Sequence, residues 1–369
     1  MAFKIWDGFD HYNSLSDLLA RSGFLQWQTP SGLQPSISFV SGLVPGKPGS
    51  AIKILNNNGA TTPNETLRAV WGARNAEAYF GQRVLIPGGV TGPASHLYVI
   101  LQDTVAGSPQ ITILFNGSNY SVQVFQGAYN GGVTLALSAN NVWTGDTQQF
   151  VEIHAKIDGS VGEVDVRVRG NSVFGGPVTG LNTKSTANAW FDAVDYGPAA
   201  VSANVAGFVE IDDLYYADTT TGSGSFAANT FAGDCRVATL FATGNQSVQW
   251  TPLAGSNWQE VSETAMDGDT SYNATATAGQ EDLLAFGALS GIGLIYGIQL
   301  TGAYRKDDAG ARIVKQAVKS GATEVYGSNW SLADTYTYFT DQWILDPNTS
   351  ANWTVGAVNA GYYGYNLVS

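Results

Sequence analysis

Phe208 to Asp218 reads F-V-E-I-D-D-L-Y-Y-A-D, and this stretch decides the fold class. Phe208, Val209, Ile211, Leu214, Tyr215 and Tyr216 are strand-forming types, packed into one short run. The run that follows, Thr219-Thr220-Thr221-Gly222-Ser223-Gly224-Ser225, has no large apolar side chain and is rich in turn and linker residues. A strong strand therefore ends where a linker begins. The expected division is a first β-domain over 1–218, a linker over 219–233 and a second β-domain over 234–369.

Composition agrees with this division. A chain of 369 residues exceeds the usual size of one domain. Only 13% of its residues are charged, against a globular norm of about 25%. It carries 44 Gly, 17 Tyr, 16 Phe and 10 Trp, a mixture suited to strands joined by tight turns. The formal charge is −13, and neither half has a basic stripe, so a nucleic-acid backbone would be repelled. The single cysteine, Cys235, rules out an intrachain disulfide and fits folding in a reducing cytosol. The opening M-A-F-K-I-W-D-G-F-D does not read as a secretory leader, and no apolar run approaches the length of a membrane-spanning helix.

Upstream of the deciding stretch, short alternating runs recur between Gly, Pro, Asn and Ser. Strands are predicted at Phe3–Asp10, Phe24–Trp27, Ser50–Leu55, Glu77–Ile86, Leu97–Asp103, Gln110–Phe115 and Ser121–Phe125, with one helical turn at Ser16–Arg21. The clearest hairpin joins Phe150–Ile157 to Gly162–Gly170 through Asp158-Gly159-Ser160. Val164, Val166 and Val168 are expected to face in, and Asp165, Arg167 and Arg169 to face out. Beyond the linker, segments are expected at Ala238–Thr243, Asp282–Phe286, Leu294–Gly302, Ala311–Ser320, Glu324–Gly327, Tyr336–Trp343 and Trp353–Ala357. Regular short strands of this kind predict an all-β chain of two β-sandwich domains, the second the smaller.

Three segments together, W-D-G-F-D-H-Y at the start, F-V-E-I-H…G-E-V-D-V-R-V-R-G later and the closing V-E-I-D-D-L-Y, resemble the concanavalin A-like (laminin G/lectin/glucanase) jelly roll. More narrowly, they resemble the version found in tail and other virion proteins of tailed bacteriophages. The order D-G-D-T-S-Y, I-Q-L-T-G-A-Y-R-K, V-K-Q-A-V-K-S-G and L-D-P-N-T-S-A-N-W-T, over about 234–368, resembles a β-sandwich module of phage structural proteins. The resemblance implies a virion structural protein of tail, baseplate or fibre type, made in the host bacterial cytoplasm and without catalytic residues or cofactors. It would partner other virion proteins; the low charge and the many Gly, Ser and aromatic residues predict a homo-oligomer, a trimer being favoured, and the alternative role is a carbohydrate-binding attachment module for a host surface glycan.

The candidate sites are weighed against simpler roles. Retaining glucanases of this fold carry E-x-D-x-E on one strand, with alternate residues presenting three carboxylates to one face. Glu210 and Asp212 match the first two positions, while Leu214 stands at the third, so an acid/base partner is missing and no catalytic residue is assigned. Asp267-Gly268-Asp269-Thr270-Ser271 opens like a calcium loop, but Tyr272 and Ala278 occupy the positions where an EF-hand needs Gly and Glu. With Asp212-Asp213 a bare pair, no metal site is assigned. His11, His96 and His154 lack metal-ligand spacing, and Cys235 has no nameable base beside it. Trp258 and Trp330, in loops of the second half, are the candidates for stacking on a sugar ring or anchoring an interface.

Overall fold

The computed structural model describes all residues except 1, 23–24, 30–35, 44–48, 57–60, 62–65, 90–93, 202–205, 220–229 and 292. Most of the linker expected at 219–233 thus lies outside the described residues. The chain forms two compact units. One comprises Met1–Asp10, Phe24–Thr220 and Asn229–Val237, and the other includes His11–Gly23 and Ala238–Ser369.

Among its described residues the first unit holds sixteen strands: β1 (Ala2–Asp7), β2 (Leu25–Gln28), β3 (Ser36–Ser41), β4 (Ser50–Asn56), β5 (Leu67–Asn75), β6 (Glu77–Leu85), β7 (Ser95–Asp103), β8 (Ser108–Asn116), β9 (Ser121–Gln126), β10 (Val133–Leu137), β11 (Gln149–Lys156), β12 (Gly162–Val168), β13 (Asn171–Ser172), β14 (Val178–Leu181), β15 (Phe191–Ala200) and β16 (Gly207–Asp218). Nine make one antiparallel sheet in the order β13-β12-β11-β6-β16-β4-β3, with β1 beside β16 and β14 beside β12. Seven make the other, in the order β10-β9-β8-β7-β15-β5-β2. The fold is all-β, and the two antiparallel sheets make this unit a β-sandwich of jelly-roll type.

Period-two alternation builds its core. Phe80, Ile153, Val166, Val209 and Ile211 of the nine-stranded sheet are buried, as are Leu97, Val99, Ile113, Phe115, Val194 and Tyr196 of the seven-stranded one. Removing such apolar surface from water contributes about 25 cal/mol per Å2. The expected hairpin is present: Val164, Val166 and Val168 lie opposite Ala155, Ile153 and Val151. Asp165, expected on the outer face, is there but fully buried, accepting hydrogen bonds from Ser172 Oγ at 2.6 Å and Arg167 Nε at 3.0 Å.

Strands β3, β5, β10, β13, β14 and β15 were not legible in the sequence. β15 reads F-D-A-V-D-Y-G-P-A-A, whose proline argues against a central strand. Among the described residues, the pairing of β5 with β15 runs as far as Tyr196, and Pro198 lies two residues further on, opposite Leu97 of β7.

The second unit holds β17 (Ala242–Ser247), β18 (Thr251–Pro252), β19 (Asn273–Ala274), β20 (Glu281–Phe286), β21 (Ile298–Tyr304), β22 (Ile313–Ser320), β23 (Thr323–Tyr326), β24 (Trp330–Ser331), β25 (Thr337–Trp343) and β26 (Tyr362–Leu367). A six-stranded sheet, β17-β20-β26-β22-β23 with β24 beside β22, is packed against the β21–β25 pair. Ile298 and Leu300 of β21 and Trp343 of β25 meet Val318 and Tyr363 of the larger sheet, making a smaller β-sandwich. Among the described residues, two short α-helices, α1 (Leu15–Leu19) and α2 (Val355–Ala360), and a 3-10 turn at Gln259–Val261 complete the unit. The segment Trp353–Ala357, taken with the strands in the sequence, instead leads into α2, because Thr354 caps it by accepting the Ala357 N–H.

Candidate functional site: a carboxylate face beneath a strap

The deciding stretch becomes β16, and one irregularity sets what it presents. Asp212 pairs with Arg83 of β6, but the next pair is Tyr215 with Gly81. Three residues on β16 thus span two on β6, a β-bulge. Asp213 sits in it at φ 50°, the left-handed region that Asp tolerates better than most residues. The extra residue shifts the alternation. Leu214, at the third position of the E-x-D-x-E pattern, turns into the core with no exposure, and Tyr215 takes the next outward position. Asp213, which strict alternation would send to the face opposite Asp212, reaches Arg83 on the outer face, with Nε 3.1 Å from Oδ2.

The neighbouring strands add to this face. Arg83 comes from β6, and Glu152 and His154 from β11. The Tyr215 hydroxyl donates to Glu152 Oε1 at 2.7 Å. Residues 230–237 of the same unit lie against these groups as a strap. The Gly233 N–H donates to Glu152 at 2.8 Å, the Ala232 N–H to the Tyr215 hydroxyl at 3.3 Å and the Val237 N–H to Asp213 at 2.8 Å. Arg83 also pairs with Asp234 of the strap. Phe231 packs edge-on against Tyr79 and His154, and Arg167 lies 4.1 Å from its ring centre. His154 stacks on Tyr79 at 4.1 Å, with Glu77 2.9 Å from one ring nitrogen and Glu163 3.3 Å from the other.

Burial governs the acidities. It raises the Glu152 carboxyl above the ordinary range, against the opposing hydrogen bonds from Tyr215 and Gly233. It raises Asp213 too, against Val237 and Arg83. Burial, with Asp213 beside it, pushes Asp212 up to about 7. Glu210 is raised by burial and held back by Lys53, 3.7 Å away. Burial first, then Glu152, Asp234 and Asp213, pushes the Cys235 thiol up, so its nucleophilic thiolate is disfavoured.

Asp212 is also the centre of a loop corner. Its Oδ2 accepts the Leu43 N–H at 2.9 Å and its Oδ1 the Asp213 N–H at 2.7 Å. Nearby, Asp10 Oδ1 accepts the Ser50 N–H at 2.6 Å, next to Gly49 at φ 143°. A β-carbon at Gly49 would stand 2.6 Å from Asp10 Oδ1, so only glycine fits there. Among the described residues, no group of three or more His, Cys, Asp or Glu side chains is arranged to hold a metal ion. In the Asp267–Ser271 turn, Ser271 Oγ bonds to Asp267 at 3.0 Å, and Asp269 is taken by Arg305 and Tyr336.

The other sequence candidates are scattered. His96 lies on β7, where Nδ1 accepts the Gly117 N–H at 3.0 Å and burial lowers its pKa. His11 belongs to the second unit, its ring 3.9 Å from that of Tyr12. Trp258 and Trp330 are half-buried against one core cluster of the second unit. Trp330 stacks on Phe339 at 5.0 Å and donates its indole N–H to Asp341 at 2.9 Å. Sequence reasoning missed Arg83, Glu152 and Tyr215. They sit on separate strands, and only the E-x-D pattern of β16 marked the face.

No family model matches the chain, and no curated protein matches it. Among solved structures it is similar to the cellulose-induced protein Cip1, at 13% identity and a TM-score of 0.41, over 60% of this chain and all of the other. It is also similar to the Bacillus licheniformis β-glucanase, at 12% and 0.37, over 59% of this chain and 99% of the other. A third is the CBM2 module of the evolved Dit of Lactobacillus casei BL23 phage J-1, at 11% and 0.37, over 58% and 94%.

Proposed function

We propose that this chain is a non-enzymatic structural component of a tailed phage particle, in its tail, baseplate or fibre. In this reading it is made in the host bacterial cytoplasm and assembles with other virion proteins. The observation that carries the non-enzymatic part is the strap. Glu152, Asp213 and Arg83, on the face that bears the E-x-D pattern, are bound to residues 230–237. Hydrolysis of a glycosidic bond needs two carboxyl groups flanking open space for the sugar. These acids face backbone N–H groups and an arginine instead. The virion part rests on the sequence resemblance of both halves. A second reading, attachment to a host glycan, is favoured by the half-buried indole of Trp258, a rigid aromatic packed against the same core cluster as Trp250.

Mass spectrometry of purified particles tests the first reading, and peptides of this chain at stoichiometric level are expected. Its absence from particles overturns the virion assignment. A polysaccharide-degrading activity that is lost in Glu210→Gln, with the circular dichroism unchanged, overturns the non-enzymatic one. Binding on a glycan array that is lost in Trp258→Ala establishes the second reading.

A further inference from the structure

We propose that β10 is a self-association edge, along which two copies of this chain pair antiparallel. Among the described residues, β10 is the terminal strand of the seven-stranded sheet, with β9 on one side and no strand on the other. An edge strand offers unpaired backbone groups to any chain that fits them, and proteins commonly guard such edges with lysine, proline or inward-pointing charge. β10 reads V-T-L-A-L and has none of these. It has one shift of register against β9, between Thr134 and Ala136, and it leaves Val133 63% and Leu137 62% exposed.

Charge identifies the occupant. No Asp, Glu, Lys, Arg or His occurs from Thr104 to Gly145, a run of 42 residues that includes β8, β9 and β10. The whole chain carries −13, so two copies repel wherever their acidic surfaces meet. β8, β9 and β10 therefore bring no charged side chain of their own to such a contact. A basic partner would gain nothing there, whereas an uncharged apolar edge matches another of its own kind. The opposite edge, β2, lies beside Arg68 of β5.

Antiparallel pairing of a strand with its own copy is self-complementary, so it closes as a twofold dimer and joins two seven-stranded sheets into one. Five residues alone bury less than the ~1,200 Å2 of a stable interface. The flanking exposed residues Ala128, Asn130, Gly131 and Ala139–Asn141, equally uncharged, extend the contact. This interface stands apart from the virion reading, because the isolated chain is expected to show it.

Sedimentation velocity of the full chain over about 1–100 µM, a range that brackets micromolar association, tests it. A concentration-dependent dimer is expected for the wild type and a monomer for Val133→Lys/Leu137→Lys, with unchanged circular dichroism and melting temperature certifying the fold. Val161→Lys, at an apolar residue 57% exposed in a turn elsewhere, is expected to leave the dimer intact. A wild type that stays monomeric at the highest concentration overturns the proposal. So does a trimer, or a folded double variant with undiminished association.

Discussion

Asp212 shows how little a residue's type says about its state. A carboxylate on a strand reads as a solvated charge, yet here both oxygens accept buried backbone N–H groups and its pKa stands at about 7. The folded-state value lies above the unfolded one, so the contribution of this group to stability is full below the unfolded pKa of 3.8. It is lost as pH rises through about 7. Asp212→Asn removes the titration. Thermal melts from pH 4 to pH 8 are expected to show the variant gaining on the wild type as pH rises, by on the order of 1 kcal/mol or more, since one pKa unit is worth 1.36 kcal/mol. A stability difference flat across that window would refute the account. Asp213, also raised, titrates in both proteins and leaves the sign of the comparison unchanged.

At the scale of the element, the bulge in β16 determines which groups are neighbours. Without the extra residue, strict alternation would set Leu214 beside Asp212 and send Tyr215 into the core, the order expected from sequence. With it, Tyr215 meets Glu152 and Leu214 is buried. The bulge depends on Asp213 holding φ 50° and on its bonds to Arg83 and Val237. Asp213→Asn keeps the tolerance of left-handed backbone and an acceptor oxygen, while Asp213→Val loses both. The valine variant is expected to be less stable than the asparagine variant by about 1–2 kcal/mol, the cost of that backbone region for an ordinary L-residue. Urea unfolding of both variants measures the difference, and equal midpoints with equal slopes would show that the bulge does not rest on this residue.

For the whole molecule, the course of the chain differs from a simple succession of two domains. Residues 229–237 belong to the first unit, and His11–Gly23 to the second. Within the second unit, that early segment runs beside β25. The Ser22 N–H donates to the Tyr338 carbonyl at 2.9 Å, the Tyr338 N–H to the Ala20 carbonyl at 3.1 Å and the Tyr338 hydroxyl to the His11 carbonyl at 3.1 Å. Arg21 Nη1 donates to the Tyr12 hydroxyl at 2.8 Å, and the Tyr12 ring meets that of Tyr338 edge-on. A fragment of residues 234–369 lacks all of these partners. It is expected to melt at least roughly 5 °C lower than the second unit does in the full chain, the scale of losing about 1 kcal/mol or more from a domain of this size. Added peptide 11–23 is expected to restore part of the difference. A fragment that melts as the full chain does, with no response to the peptide, would show that the segment adds nothing to the unit.

The sequence by itself determined the all-β class, most strands of the first sandwich and the Val164–Val166–Val168 hairpin. Each follows from local alternation, which needs only a few consecutive residues to be read. It also marked Glu210 and Asp212 on one strand. The tertiary structure alone decided what surrounds them. One inserted residue inverts the alternation of everything after it, and nothing in the letters D-D-L-Y-Y says where the insertion falls. Glu152 and Gly233 are 81 positions apart, and His11 and Tyr338 are 327 apart. Such contacts are fixed by which strands become neighbours, a property of the packed sheets rather than of any window of sequence.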